Sequence, residues 1–217
     1  MEIETGSRRI IDPETFRGKT ALFIERFNRL VSEYCEDLAV PVVDLYSAFG
    51  SKGQVDLLDP TYAIGDNAHL NIDGQIKLAR TLRDEYFTDL EEFEVVVCLG
   101  DSHTQGFPVR NDISRNGLPV DITIDNPHQY PYHLADWTKK TFINRGIAGN
   151  TIYGLSRRFD SEVIPHFPDH CIIQGGTNDS LLGTPLEESM NDLKVIVGKC
   201  IENEITPVVC TIIPLGF

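Results

Sequence analysis

The stretch EVVVCLGDSHTQG, residues 94–106, decides the fold class. Five apolar residues, 95–99, run without interruption to Gly100, and small polar residues follow at once. A continuous apolar run, unlike an alternating one, is typical of a strand that has both faces covered by helices. We therefore expect residues 94–100 to form a buried strand of a parallel sheet.

Similar short runs recur along the chain, separated by segments with apolar residues at helical spacing. These segments predict helices at about 16–38, 71–87 and 185–203, the last opened by a capping box of Thr184 and Glu187. Alternating strands and helices predict an α/β fold, in which helices cover both faces of a parallel sheet. The additional strands are predicted at 40–46 (VPVVDLY), 141–147 (TFINRGI), 170–176 (HCIIQGG) and 206–213 (TPVVCTII).

Length and charge limit the classes of partner. The chain has 217 residues and a formal net charge of -14, which suits one soluble domain and disfavours nucleic acid or an anionic membrane surface as a partner. No apolar run reaches the roughly 18 residues of a membrane span, and the first ten residues, MEIETGSRRI, lack the apolar stretch of a signal peptide. We expect a cytoplasmic protein, unless a leader has been removed.

Thiol and metal chemistry are not predicted. His166 and His170 stand four residues apart, but prolines surround them and no third ligand is evident, so we expect neither a metal site nor a cofactor. The cysteines are odd in number and never form a C-x-x-C motif, which favours reduced, buried thiols. They are Cys35, Cys98, Cys171, Cys200 and Cys210.

Candidate reactive groups follow three of the predicted strands, where the carboxyl ends of a parallel sheet place ligands. GDSHTQG offers the Ser102 hydroxyl, although Asp101 and Ser102 could equally cap the next helix. GIAGNT offers the N–H of Gly149, and GGTNDS offers the Asn178 amide. These two donors could stabilise an oxyanion, or they could be ordinary turn residues.

A candidate base comes earlier, in AIGDNAHLNIDG, residues 63–74. Asp66 and His69 are three residues apart, a spacing at which a carboxylate can orient an imidazole that acts as a general base. We expect the imidazole of His103, which follows Ser102, to face solvent.

Together these segments resemble the four sequence blocks of the SGNH hydrolase family, the GDSL-type esterases and lipases. GDSHT, the glycine of INRGIAGNT, GGTND and GDNAHL carry the resemblance. It implies a five-stranded, flavodoxin-like α/β/α fold and a serine esterase that cleaves small acyl or acetyl esters through an acyl-enzyme. By the resemblance Ser102 is the nucleophile, His69 the general base and Asp66 its orienting acid. The N–H groups of Ser102 and Gly149 and the Asn178 amide would form the oxyanion hole.

The order of the blocks departs from the family, because the Asp-x-x-His block comes first here. Residues 1–87 match the family's C-terminal part and residues 94–217 its N-terminal part, so the chain resembles a circular permutant forming one domain over 1–217. The connection TDLEEF, residues 88–93, spans at most about 20 Å. One chain can close the fold only if the helix before this connection runs antiparallel to the strand after the connection. Otherwise two chains exchange halves in a homodimer, or the chain is a piece of a tandem protein.

A different class of function stays open at this stage, namely a catalytically silent binding module of the same fold. The presence of Asp66, His69, Ser102 and Asn178 together favours the enzyme. The substrate is not specified: the irregular segment 106–129 is the expected specificity loop, and it carries no motif that selects an ester.

Overall fold

The computed structural model describes residues 14–51, 54–88, 90, 92–107 and 129–216, and this part contains seven strands and eight α-helices beside shorter 3₁₀ and π-helical segments. In chain order they are α1 (Phe16–Asp37), β1 (Val42–Val43), α2 (Leu45–Phe49), β2 (Gly50–Ser51), β3 (Gln54–Leu58), α3 (Ile72–Leu82), β4 (Val95–Gly100), α4 (Ser102–Gln105), α5 (Tyr130–Thr138), β5 (Thr141–Gly146), α6 (Ile152–Glu162), β6 (His170–Gln174), α7 (Thr177–Leu182), α8 (Leu186–Glu202) and β7 (Thr206–Cys210).

Five of the strands form one parallel sheet in the order β1-β7-β6-β4-β5. The strand β4 lies inside the sheet, with Val96 beside Phe142 of β5 on one side and His170 of β6 on the other. At the opposite end, β1 pairs with β7 through Val42 and Val209. The predicted five-stranded parallel sheet is therefore confirmed, and a strand from the start of the chain forms one of its edges.

Side chains of β4 alternate between two hydrophobic layers, which explains its uninterrupted apolar sequence. Val97 and Leu99 pack with α1, α6 and α8, whereas Val96 and Cys98 pack with α2, α3 and α5. All four side chains are fully buried. The architecture is the predicted α/β/α arrangement of three layers, and the five cysteines are buried and free within it.

The strand at 40–46 is shorter than predicted, because the chain turns into a helix within it. Only Val42 and Val43 are paired as a strand, and the Asp44 carboxylate then caps α2 by accepting the N–H of Ser47 at 3.1 Å. The antiparallel pair β2 and β3 was not predicted.

Two helices also differ from prediction in detail. The predicted helix at 71–87 is α3 followed by a π-helical turn, Arg83–Phe87. The predicted capping box before α8 is wrong: Pro185 occupies the cap position, and no side chain makes a capping hydrogen bond there.

The first part of the chain reaches β4 through a short connection flanked by aromatic residues. The rings of Phe87 and Phe93 lie 5.3 Å apart, and both pack against Phe142 of β5. The N–H groups of Glu94 and Val95 donate to the Asp169 carboxylate at 2.7 and 2.9 Å, which fixes the start of β4. Among the described residues, each helix is too short or too polar to cross a membrane.

Candidate active site

The nucleophile candidate lies where β4 turns into α4. Asp101 caps this helix by accepting the N–H of His103 at 2.9 Å, and Ser102 takes its first position with 5% of its surface exposed. The capping interpretation is thus right for Asp101, and it leaves the Ser102 hydroxyl unused by the cap. A side chain at Gly100 would collide with Thr104, so a glycine is required for this close turn.

The base candidate lies within contact distance of Ser102. His69 Nε2 is 3.1 Å from Ser102 Oγ, and His69 Nδ1 is 2.6 Å from Asp66 Oδ2. The second carboxylate oxygen, Asp66 Oδ1, accepts the N–H groups of Ala68 and His69 at 3.0 Å each. The structure therefore brings together the three residues predicted as acid, base and nucleophile, although Asp66 and Ser102 are far apart in sequence.

The hydrogen-bond partners decide where the His69 proton lies. An ionised carboxylate can only accept, so Nδ1 carries the proton and Nε2 is left to accept from the Ser102 hydroxyl. Burial alone would raise the pKa of Asp66, but the backbone N–H groups and the His69 ring lower it below its ordinary value. Asp66 consequently stays ionised and holds the imidazole in the orientation that a base requires.

The two predicted oxyanion donors lie in neighbouring loops beyond β5 and β6. Gly149 has a left-handed backbone conformation, with φ of +82°, which a glycine adopts without strain. Asn178, in the first turn of α7, donates one amide hydrogen to the Asn150 carbonyl at 2.8 Å. Among the described residues this is the hydrogen bond of the Asn178 amide, and it fixes the amide's orientation through the residue that follows Gly149.

A partly buried arginine that the sequence did not reveal connects the Asn150 loop to the end of β4. Arg158 of α6 donates from Nε to Asn150 Oδ1 at 2.8 Å and from NH2 to the Gly100 carbonyl at 2.8 Å. Its NH1 pairs with Glu162 at 2.6 Å. Asn150 orients Asn178. Arg158 therefore joins the Asn150 loop to the end of β4, the strand that leads to Ser102.

Asp179 braces the other side of the Asn178 helix. Its carboxylate accepts the N–H of Ile152, at the start of α6, at 3.0 Å and the Ser189 hydroxyl at 2.9 Å. The side chain is fully buried, and this burial raises its pKa although both hydrogen bonds oppose the shift. Asp179 thus joins α7 to α6 and α8.

The expectation that His103 faces solvent is wrong. Its side chain is 1% exposed, and its Nε2 lies 2.9 Å from the carbonyl oxygen of Ala68, which covers it from the His69 loop. Its Nδ1 lies 3.3 Å from Asp101 Oδ1, so a second aspartate–histidine pair lies directly beneath the first.

Two further points of the sequence analysis concern the spacing of His166 and His170, which predicts no metal site, and the expected specificity loop. Within the part of the chain that the structure describes, no group of three or more His, Cys, Asp or Glu residues could hold a metal ion. His166 Nε2 contacts Arg145, whereas His170 packs against the rings of Tyr86, Phe87 and Phe93. Most of the segment 106–129 lies outside the described residues, but the Phe107 ring contacts the His69 ring edge-on at 4.9 Å.

Comparison with protein families matches residues 98–217, more than half of the chain, to the GDSL-like lipase/acylhydrolase family. The matched part contains Ser102, Gly149 and Asn178, whereas Asp66 and His69 precede it. A search of curated proteins finds no match.

Several solved structures are similar over part of the chain. One, assigned to the G-D-S-L lipolytic family, is from Desulfitobacterium hafniense and is 28% identical, with 53% of this chain and 57% of that chain covered and a TM-score of 0.44. The esterase EstA from Pseudoalteromonas is 24% identical, with 56% and 61% covered and a TM-score of 0.43. The SGNH-hydrolase family esterase AlinE4 is 22% identical, with 56% and 60% covered and a TM-score of 0.42. The matched segments thus span less than two thirds of each of these structures.

Proposed function

Because the chain belongs to the GDSL-like lipase/acylhydrolase family, we propose that it is a serine esterase acting on small acyl or acetyl esters, with Ser102, His69 and Asp66 as its reactive residues. The observation that carries the proposal is the continuous series of contacts from Asp66 Oδ2 through the His69 ring to Ser102 Oγ, at 2.6 and 3.1 Å. His69 is therefore within hydrogen-bond reach of both Ser102 and Asp66.

In the first half-reaction the Ser102 oxygen attacks the ester carbonyl carbon while its proton passes to His69 Nε2. The tetrahedral intermediate then collapses: the bond to the alcohol oxygen breaks, and His69 returns the proton to that oxygen. In the second half-reaction His69 takes a proton from water, whose oxygen attacks the acyl carbon. The second tetrahedral intermediate then collapses: the bond to Ser102 Oγ breaks, His69 returns the proton to that oxygen, and the carboxylic acid leaves. Asp66 stabilises the imidazolium that forms in each half.

The negative charge on the tetrahedral oxygen requires donors that are fixed before the reaction. We assign this role to the N–H groups of Ser102 and Gly149 and to the amide of Asn178. The hydrogen bond from Asn178 to the Asn150 carbonyl supports the assignment, because it fixes the amide without using both of its hydrogens. Donors fixed in this way stabilise the transition state without reorganising during the reaction.

The test is hydrolysis of p-nitrophenyl acetate by the wild type and by Ser102→Ala. We expect the variant to lose on the order of 10⁴-fold or more in kcat and to unfold at the wild-type temperature. Ser161→Ala is the matched control, since Ser161 is exposed on α6, and it should retain wild-type kcat. Turnover by Ser102→Ala at the wild-type rate would remove Ser102 from the reaction, and an inactive wild type would favour the binding module.

We also propose that the chain order is circularly permuted and that each chain builds its own site. The contact between His69 and Ser102 within one chain supports this, as does the pairing of β1 with β7. Joining Phe217 to Met1 by a short flexible linker and opening the chain within 88–93 should preserve folding and ester hydrolysis. A rejoined chain that fails to fold would contradict the permutation.

Exchange of halves between two chains has a separate test. An equimolar mixture of inactive Ser102→Ala and inactive His69→Ala, refolded together from denaturant, should regain no activity if each chain closes on itself. Recovered activity would mean that His69 of one chain serves Ser102 of another.

For the substrate, the decisive measurement is kcat/KM across p-nitrophenyl esters of increasing acyl length, and we expect the highest value for the shortest chains.

A further inference from the structure

We propose that His103 is a positioning residue, whose Nε2–H holds the Ala68 carbonyl and thereby keeps His69 in register with Ser102. The inference rests on the proposed function, because it assigns His103 a role in the reaction of Ser102. The Nε2 of His103 contacts the Ala68 carbonyl, so its effect passes through the backbone of the loop that carries His69.

The contacts of His103 make its ring a fixed donor toward this loop. A carbonyl oxygen only accepts hydrogen bonds, so His103 Nε2, 2.9 Å from the Ala68 oxygen, must carry a hydrogen. On its other side the ring faces the buried Asp101 carboxylate, with Nδ1 3.3 Å from Oδ1. A negative charge at that distance favours the protonated imidazole, although His103 Nδ1 makes no hydrogen bond among the described residues.

The surroundings of His103 agree with this charge. Burial lowers its pKa, but the hydrogen-bonding and charge of Asp101, with contributions from the Ala68 carbonyl and from Asp66, raise the pKa above its ordinary value. The backbone is fixed as well, since Gln75 of α3 donates to the His103 carbonyl at 3.0 Å. His103 is thus held from two sides before it contacts the loop.

The loop needs such a contact because most of its other hydrogen bonds are internal. Asp66 accepts from the loop's own N–H groups, and Ile64 donates to the carbonyl of His69. Among the described residues, two hydrogen bonds join this loop to the turn that carries the nucleophile, those of His69 with Ser102 and of His103 with Ala68. The first breaks each time Ser102 is acylated. The second persists, and it holds His69 in place through the acyl-enzyme stage.

The loop is exposed enough for this support to matter. The side chains of Asp66 and His69 are 42% and 24% exposed, so packing alone restrains them weakly. One further contact comes from the other side, where the N–H of Gly216 donates to the Asn67 carbonyl at 2.7 Å. The loop is therefore anchored at two successive carbonyls, those of Asn67 and Ala68, and His103 supplies the anchor at Ala68.

The test compares His103→Gln with His103→Asn. Both variants are uncharged amides of similar polarity, but the Gln nitrogen can reach the position of Nε2 and the Asn nitrogen, one carbon shorter, cannot. We expect His103→Asn to lose about ten- to hundredfold in kcat for p-nitrophenyl acetate with KM changed less than threefold. His103→Gln should recover most of this loss. Equal losses in the two variants, or a His103→Asn enzyme within twofold of wild type, would overturn the proposal.

A second measurement does not depend on turnover or on variants that fold. In wild-type protein with ¹⁵N-labelled histidine, the NMR signal of the His103 Nε2 proton should be visible and exchange slowly with water. A neutral His103 with its single proton on Nδ1 would overturn the inference even if the protein is an esterase. An inactive wild type with a protected Nε2 proton would instead contradict the proposed function and leave the contact with Ala68 in place.

His133→Asn is the matched control for the substitution itself. His133 lies on α5, and its ring packs against Tyr132 and Trp137. We expect this variant to retain wild-type kcat. If His133→Asn loses as much kcat as His103→Asn, then replacing a histidine elsewhere in the fold is enough to reduce kcat. The specific role proposed for His103 would then be wrong.

Discussion

Two aspartate–histidine pairs lie one above the other in this protein, with their imidazole rings 5.8 Å apart. The outer pair, Asp66 and His69, lies at the rim of the sheet with a short contact of 2.6 Å and partly exposed side chains. The inner pair, Asp101 and His103, is separated by 3.3 Å and almost completely buried. The residue types are the same in both pairs, so their surroundings must account for any difference in what they do.

The atom that faces Nε2 distinguishes the two pairs. His69 Nε2 faces a hydroxyl, which can release a proton to it, whereas His103 Nε2 faces a carbonyl, which can only accept one. The outer ring is therefore free to take up a proton, and the inner ring is a permanent donor. A similar division is proposed for the loops beyond β5 and β6, where Asn178 is the proposed oxyanion donor and Arg158 holds Asn150, the residue to which Asn178 donates.

The largest difference between the two pairs is expected when each histidine is replaced by the same residue, glutamine. His69→Gln should lose roughly 10⁴- to 10⁶-fold in kcat, because an amide cannot take the Ser102 proton. His103→Gln should lose far less, because an amide nitrogen can still donate to the Ala68 carbonyl. Both rates are measured with p-nitrophenyl acetate on variants of confirmed fold. Losses of equal size would mean that the two pairs do not differ in role.

The acidic partners give the next largest effect. Asp66→Asn should reduce kcat by about 10³- to 10⁴-fold, because the amide can present a donor to His69 Nδ1 and stabilise the wrong tautomer. Asp101→Asn should cost at most about tenfold, because the Asn oxygen still accepts the N–H of His103 and caps α4. A loss for Asp66→Asn that lies in kcat, with KM unchanged, would show that Asp66 acts on the reaction and not on substrate binding.

The oxyanion loops supply a smaller effect. Asn178→Ala should reduce kcat by about 10²- to 10³-fold, as is usual when one oxyanion donor is removed. Arg158→Met should cost about tenfold, since it releases the Asn150 loop that orients Asn178 but keeps the Asn178 amide itself. Arg157→Met, at the exposed neighbouring position, is the matched control and should behave as wild type. An Arg158→Met enzyme with unchanged kcat would remove the arginine from the positioning network.

The fold was largely predictable because its central strands are apolar on both faces. The runs around Val95–Gly100 and His170–Gln174 carry that signal directly. The pairing of β2 with β3 could not be predicted in the same way, because a contact distant in sequence stabilises it: Leu58 donates to the Leu215 carbonyl. Such contacts leave no local pattern in the sequence.

The site was predictable only where short motifs carry its chemistry. Ser102, Asn178 and the Asp66–His69 spacing were all identified from local residues, but the distance between His69 and Ser102 depends on the whole sheet. The burial of His103 was missed because the covering residue, Ala68, lies 35 positions earlier in the chain. Arg158 was missed for the same reason, since its partners Gly100 and Asn150 belong to different loops.

The smallest expected effect concerns stability against pH, and the two pairs should respond in opposite directions. The pKa of Asp66 is lowered in the folded protein, so its stabilising contribution is present above about pH 3.9, its ordinary pKa, and is lost as pH falls through the folded value. The pKa of His103 is raised, so its contribution is complete below about pH 6.5 and is lost as pH rises through the folded value.

Thermal unfolding of wild type, Asp66→Asn and His103→Gln between pH 3 and pH 9 tests this difference. The gap in Tm between wild type and Asp66→Asn should shrink toward the acidic end, because the protonated Asp66 no longer differs in charge from the amide. The gap between wild type and His103→Gln should shrink toward the basic end, where the imidazole is neutral. Gaps that shrink at the same end of the range would mean that Asp101 does not keep His103 protonated.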